Sequence, residues 1–180
     1  AYFFSAGTVS LSALAKSASD TPRDFGGSSI KLAQALRLIG SKICVEAAQL
    51  LEASGKSDGN ISLHLRSAGI NGTHADIIAN ALLSLSQEEA SSLRSFSLSF
   101  NLEIGDRGAL AIARSLPLTL RELGLVGCGI GDHGGKALLQ WARQASRLRM
   151  LCIEDNQFSQ KVTAQFKELA QTNQNLLVVV

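Results

Sequence analysis

Several short strings in this sequence carry residue types that could do chemistry. Gly129-x-Gly131-x-x-Gly134 follows an apolar run and opens a helical pattern, and Glu154 lies twenty residues beyond Gly134. That is the spacing a dinucleotide site needs: bare backbone amides for a pyrophosphate at a helix start, then a carboxylate for a ribose hydroxyl. Gly105-Asp106-Arg107-Gly108 is the same turn without its first glycine, so a shared register explains the glycines without a cofactor. Gly134-Gly135-Lys136 is no phosphate loop, because Ile130 and Ala137 stand where a glycine and a hydroxyl are required. Asp24-Phe25-Gly26 stands without any other kinase element. His64, His74 and His133 include no pair four residues apart, the spacing of a helical metal site. Cys44, Cys128 and Cys152 occupy three different settings and read as unreactive thiols. No nucleophile, base and oxyanion donor converge. The chain therefore reads as non-enzymatic, with no catalytic residue, cofactor or metal ligand assigned.

Composition narrows the class. Of 180 residues, 46% are hydrophobic and 18% charged, so a sizeable core can form and disorder is excluded. Seventeen basic and fifteen acidic residues give a net charge of +2, which points to neither nucleic acid nor a membrane surface. No apolar run approaches the roughly 18 residues of a membrane helix. Three cysteines are too few for a disulfide scaffold and suit a reducing, cytoplasmic setting. In that setting the sequons at Asn60 and Asn71 are coincidence.

The dominant signal is internal repetition. Leu120-x-x-Leu123-x-Leu125-x-x-Cys128-x-Ile130 recurs as Leu148, Leu151, Ile153, Asn156 and Phe158. Upstream it recurs as Leu93, Phe96, Leu98 and Asn101, with Ile104 one residue late, then as Asn60, Leu63, Leu65, Ala68 and Ile70, then as Ala33, Leu36, Leu38, Ser41 and Ile43. The starts at 33, 60, 93, 120 and 148 are 27, 33, 27 and 28 residues apart, and the long interval holds an insertion around 86–91. A degenerate start at Ala6 gives Val9 and Leu11, and a half unit begins at Leu176. Each x-x-Leu-x-Leu stretch alternates like a strand. The second half of each unit reads as a helix, with Leu51, Ile78, Ile112, Leu138 and Phe166 at one inward position. Asp106 and Asp132 stand where they would cap their own helices. Ala68 has no donor at the position held elsewhere by Asn101, Cys128 and Asn156, so its turn is expected to be irregular.

The pattern resembles the leucine-rich repeat family in its ribonuclease-inhibitor-like class, with repeats of 27–28 residues. The resemblance implies an α/β fold: a right-handed solenoid or horseshoe with parallel strands on the concave face and helices on the convex face. One domain over 1–180 is expected, with a worn unit and loop at 1–32, five repeats at 33–175 and a terminal strand at 176–180, as a fragment of a larger protein.

The resemblance also implies a scaffold, adaptor or sensor that grips a protein on its concave strand face. By register that face carries Arg37, His64, Arg66, Ser97, Phe100, Glu122, Glu154 and Asp155. Arg37, His64 and Arg66 would form a basic end, Glu122, Glu154 and Asp155 an acidic one, and Phe100 an apolar anchor between them. The two arginines should lower the His64 pKa by like charge. The apolar Leu176–Val180 strand is an edge open to self-association. The alternative is a small-GTPase regulator similar to Ran GTPase-activating protein, using Arg107, Asp132 and Asn156 on the strand-to-helix turns.

Overall fold

The computed structural model describes residues 28–53 and 60–180. The degenerate unit at Ala6 and the Asp24-Phe25-Gly26 string lie outside the described residues. Two helices come first: α1 (Ser28–Ile39) and α2 (Lys42–Ala53). Strand and helix then alternate: β1 (Ile61–His64), α3 (Gly72–Leu83), α4 (Gln87–Ser92), β2 (Leu93–Ser97), α5 (Gly105–Ser115), β3 (Glu122–Gly124), α6 (Asp132–Gln144), β4 (Met150–Cys152), α7 (Gln160–Thr172) and β5 (Leu177–Val179). The strands form one open parallel sheet in chain order. The insertion at 86–91 is the short helix α4, started by Ser86 and Glu89 satisfying each other's backbone amides.

Period-two alternation puts one row of side chains under the sheet. Leu63, Phe96, Leu123, Leu151 and Val178 sit opposite one another along the five strands. The bonds from the Leu65, Leu125 and Ile153 amides to the Ser97, Cys152 and Val179 carbonyls continue the ladder one rung further. Leu65, Leu98, Leu125 and Ile153 form that rung and are fully buried. From the helix side come Ile78, Ile112, Leu138 and Phe166, also fully buried. Each such side chain contributes about 1.5–3 kcal/mol when removed from water. Neither layer could bury its apolar side without the other, and each unit also leans on its neighbours. Strands stack about 4.8 Å apart whereas packed helices need about 8–10 Å, so the stack bends with the sheet inside. The last start falls one residue earlier than expected, since Leu177 pairs with Met150 and Val178 with Leu151.

The first predicted unit is not a repeat. Residues 33–38, read as a strand, lie inside α1. Leu32, Ala33, Ala35 and Leu36 form its buried side, while Leu38, expected under the sheet, is 78% exposed. Gly40 ends the helix at φ +74°, a left-handed conformation that glycine adopts without steric cost. The Ser41 hydroxyl then accepts from the Cys44 amide to start α2. Leu51 is only partly buried, because α2 belongs to this helical pair and not to the column of repeat helices.

The Ala68 turn is regular. Ser67, Phe100, Gly127 and Asp155 occupy the same place in their units, and all have φ between +52° and +62°. Asn101 of the next unit serves the Ala68 turn, accepting from the Ile70 amide at 3.0 Å and donating to the Leu65 carbonyl at 2.9 Å. Asn156 repeats the device, accepting from Cys128 and Ile130 and donating to Leu125. The Cys128 thiol lies 3.3 Å from the Leu98 carbonyl, in donor position. Each ladder residue thus reaches back to the strand before it.

Candidate functional site

The helix starts dispose of the glycine fingerprint. Asp106 does not cap its own helix, which lacks a side-chain cap. Its Oδ1 accepts from the Gly131 and Gly134 amides of the next unit, both at 2.8 Å. The amides a pyrophosphate would take are therefore held by a carboxylate. A Cβ on Gly134 would stand 2.8 Å from the Ala109 Cβ and 2.7 Å from Ile130 Cγ2, so the glycine serves the close approach of α5 and α6. Asp132 likewise reaches forward, accepting from the Ser159 amide at 2.7 Å, and this bond holds its carboxyl below the usual range. Asn71 caps α3 by accepting from the His74 amide, which gives that sequon a structural role.

The strand face carries two rows in register: Ser62, Ser95, Glu122, Met150 and Leu177, then His64, Ser97, Gly124, Cys152 and Val179. Arg66, Ser99, Val126 and Glu154 follow at the strand exits, where backbone bonds such as Ser67 to Ser99 and Gly127 to Glu154 continue the ladder. Three expected residues come together here. Arg66 places its guanidinium carbon 3.9 Å from the centre of the Phe100 ring, a cation–π contact. His64 Nε2 lies 2.9 Å from the Ser95 hydroxyl. Phe100 itself is 41% exposed.

Arg37 is not part of this face. It lies on α1 and pairs with Glu52 of α2 at 2.6 Å, because the segment that carries it is helical. The basic end expected of Arg37, His64 and Arg66 therefore does not exist. Ser97 is on the face but 3% exposed, with its hydroxyl 3.2 Å from that of Ser99. Short side chains on a bent sheet are covered by their neighbours, and Ser95, Ser99 and Cys152 are buried in the same way.

The electrostatics are those of a partly dry, mildly acidic surface. The His64 pKa is lowered as expected, but the cause is burial, opposed by the Glu122 carboxylate. Burial and the nearby Glu154 and Glu122 charges push the Cys152 thiol to about 11, and burial pushes Cys128 to about 11. Glu154 Oε2 is buried without a hydrogen-bond partner among the described residues. Asp155 is exposed in the left-handed slot of its turn. Sequence reasoning missed Leu177 as a face residue; it is 44% exposed at the end of the Glu122–Met150 row. Among the described residues no three His, Cys, Asp or Glu side chains converge on a metal-sized site, and no helix is long and apolar enough to cross a membrane.

The geometry agrees with comparison to known families. A family model described as Leucine Rich repeat matches residues 89–113 and 117–139. Those two segments are leucine-rich repeats. The matched stretches run from α4 through α5 and from the approach to β3 into α6, and the α/β solenoid is the fold they build. Repeats of this family generally mediate protein–protein interaction. No curated protein matches the chain.

The turn residues considered for GTPase regulation hold successive strand–helix units together. Arg107 pairs with Asp76 of the preceding unit at 2.5 Å, Asp132 holds the next helix start, and Asn156 holds the turn before it.

Proposed function

We propose that this solenoid is a non-catalytic protein-binding module whose partner docks on the strand face around Arg66 and Phe100. The Arg66–Phe100 stack carries the reading: a guanidinium over a part-exposed ring. Arginine and aromatic residues are over-represented among the few positions that dominate binding energy. His64, Glu122, Glu154 and Asp155 give the surround its polarity, which orients a partner and raises its on-rate more than its affinity. A rigid sheet pays little ordering cost on binding.

Quantitative capture from a cell extract, comparing wild type with Arg66→Glu/Phe100→Ser, tests the assignment. Partners held by wild type and lost from the double variant would support it. An identical set of partners on both proteins would remove this face from consideration.

A further inference from the structure

The repeats have a second surface, at the rim where helices end and strands begin. Two adjacent rim segments, 114–121 and 143–149, contain Arg114, Arg121, Arg143, Arg147 and Arg149 and no acidic residue. The run from 133 to 153 is free of Asp and Glu altogether. All five arginines are exposed. Among the described residues none takes part in an ion pair. The Arg149 amide bonds to the Arg121 carbonyl at 2.7 Å, so these two stand side by side at the entries to β3 and β4, where strand spacing is about 4.8 Å. Arg114 and Arg143 lie in the last turns of α5 and α6, where the carbonyl ends of a helix favour a cation. That reason does not extend to Arg121, Arg147 and Arg149, which follow the helices. A net charge of only +2 makes this concentration local to the rim.

We infer that this rim is a docking surface for an acidic protein segment that also carries apolar side chains. Leu118 lies between Arg114 and Arg121 and is 48% exposed. A groove of about 460 Å³ opens between the ends of α6 and α7, with Arg143 and Ser146 on one wall and Glu168 and Leu169 on the other. Guanidinium groups match carboxylates bidentately. Leu118 offers a place for an apolar side chain. A single-stranded nucleic acid would call for aromatic stacking platforms, and neither rim segment contains an aromatic residue.

The test uses fluorescence anisotropy with a labelled peptide of repeated Glu-Glu-Leu, and in parallel a labelled uridine oligonucleotide. Wild type should bind the peptide, and Arg121→Glu/Arg147→Glu/Arg149→Glu should weaken binding by about tenfold or more. The milder Arg121→Gln/Arg147→Gln/Arg149→Gln should move affinity the same way, which guards against misfolding of the first variant. Arg66→Glu, on the strand face, should bind the peptide as wild type does. Tighter binding of the oligonucleotide than of the peptide would overturn the partner class. No peptide binding by wild type, or loss through Arg66→Glu in place of the rim variants, would overturn the surface.

Discussion

The helical pair at 28–53 and the repeats at 60–180 solve the same problem in different ways. A repeat unit satisfies its turn with a side chain from the next unit, so polar bonds run along the whole stack: Asn101 to the β1 turn, Asn156 to the β3 turn, Asp106 to the start of α6 and Asp132 to the start of α7. The helical pair is held by a buried Leu32–Ala33–Leu36 and Cys44–Ala47–Ala48 seam and by the exposed Arg37–Glu52 pair. Among the described residues no strand lies upstream of β1. Among those residues position 68, whose counterparts donate back to the preceding strand, has no strand carbonyl to reach. Alanine there is consistent with that position. Its lack of a donor leaves the turn regular.

The largest effect that should separate the regions is truncation under the sheet. Leu125→Ala should cost about 2–5 kcal/mol in chemical denaturation, whereas Leu38→Ala, on the exposed side of α1, should stay within about 0.5 kcal/mol. Equal losses would mean that Leu38 is a rung after all. Next comes the ladder. Asn101→Ala unpairs the Ile70 amide and the Leu65 carbonyl and leaves the Leu98 carbonyl only the Cys128 thiol, and about 1–3 kcal/mol is the expected loss for each buried group left unsatisfied. Ala68→Asn should bring no gain. A stabilised Ala68→Asn would reveal a strand carbonyl upstream of β1. Asp106→Ala removes a helix-start acceptor across the unit boundary, and about 0.5–2 kcal/mol should be lost.

The smallest effects are those of titration. His64 has its pKa lowered from 6.5 on folding, so the folded chain binds fewer protons there than the unfolded chain. Its contribution is whole above that value and declines as pH falls through the folded pKa. Thermal melts between pH 5 and 7 should show that decline, and His64→Gln should flatten it. With Cys128 and Cys152 at about 11, thiol labelling at pH 8 should be slow until denaturant is added. Fast labelling of the native protein would mean that the strand face is more open than described.

Much of this was legible in the residues. Four inward leucine-type rungs and the helical positions Ile78, Ile112, Leu138 and Phe166 followed from periodicity alone, because a residue under a sheet must be apolar in every unit. The 33–43 segment misled because Ala33, Leu36 and Leu38 fit the strand frame by spacing. The competing signals were present: Ala, Leu and Gln are strong helix formers, no β-branched residue stands between 31 and 38, and Gly40-Ser41 is a helix stop followed by a helix start. The forward reach of Asp106 and Asp132 was not legible, since a carboxylate near a helix start looks the same whichever helix it serves. For the binding face, register placed His64, Arg66 and Phe100 together. It could not show that Ser97 would be covered, because burial on a bent sheet depends on the neighbours' side chains. The Arg37 error was inherited entirely from the strand assignment.

The central claim is that residues 33–38 are helical and that, among the described residues, the parallel ladder starts at β1. Amide-resolved nuclear Overhauser spectroscopy on this 19.0 kDa chain tests it in one experiment. Strong sequential amide–amide contacts are predicted through 33–38, with cross-strand contacts linking Leu65 to Ser97, Leu98 to Gly124 and Leu125 to Cys152. Extended-chain contacts at 33–38, paired across to Ser62 and His64, would contradict the account.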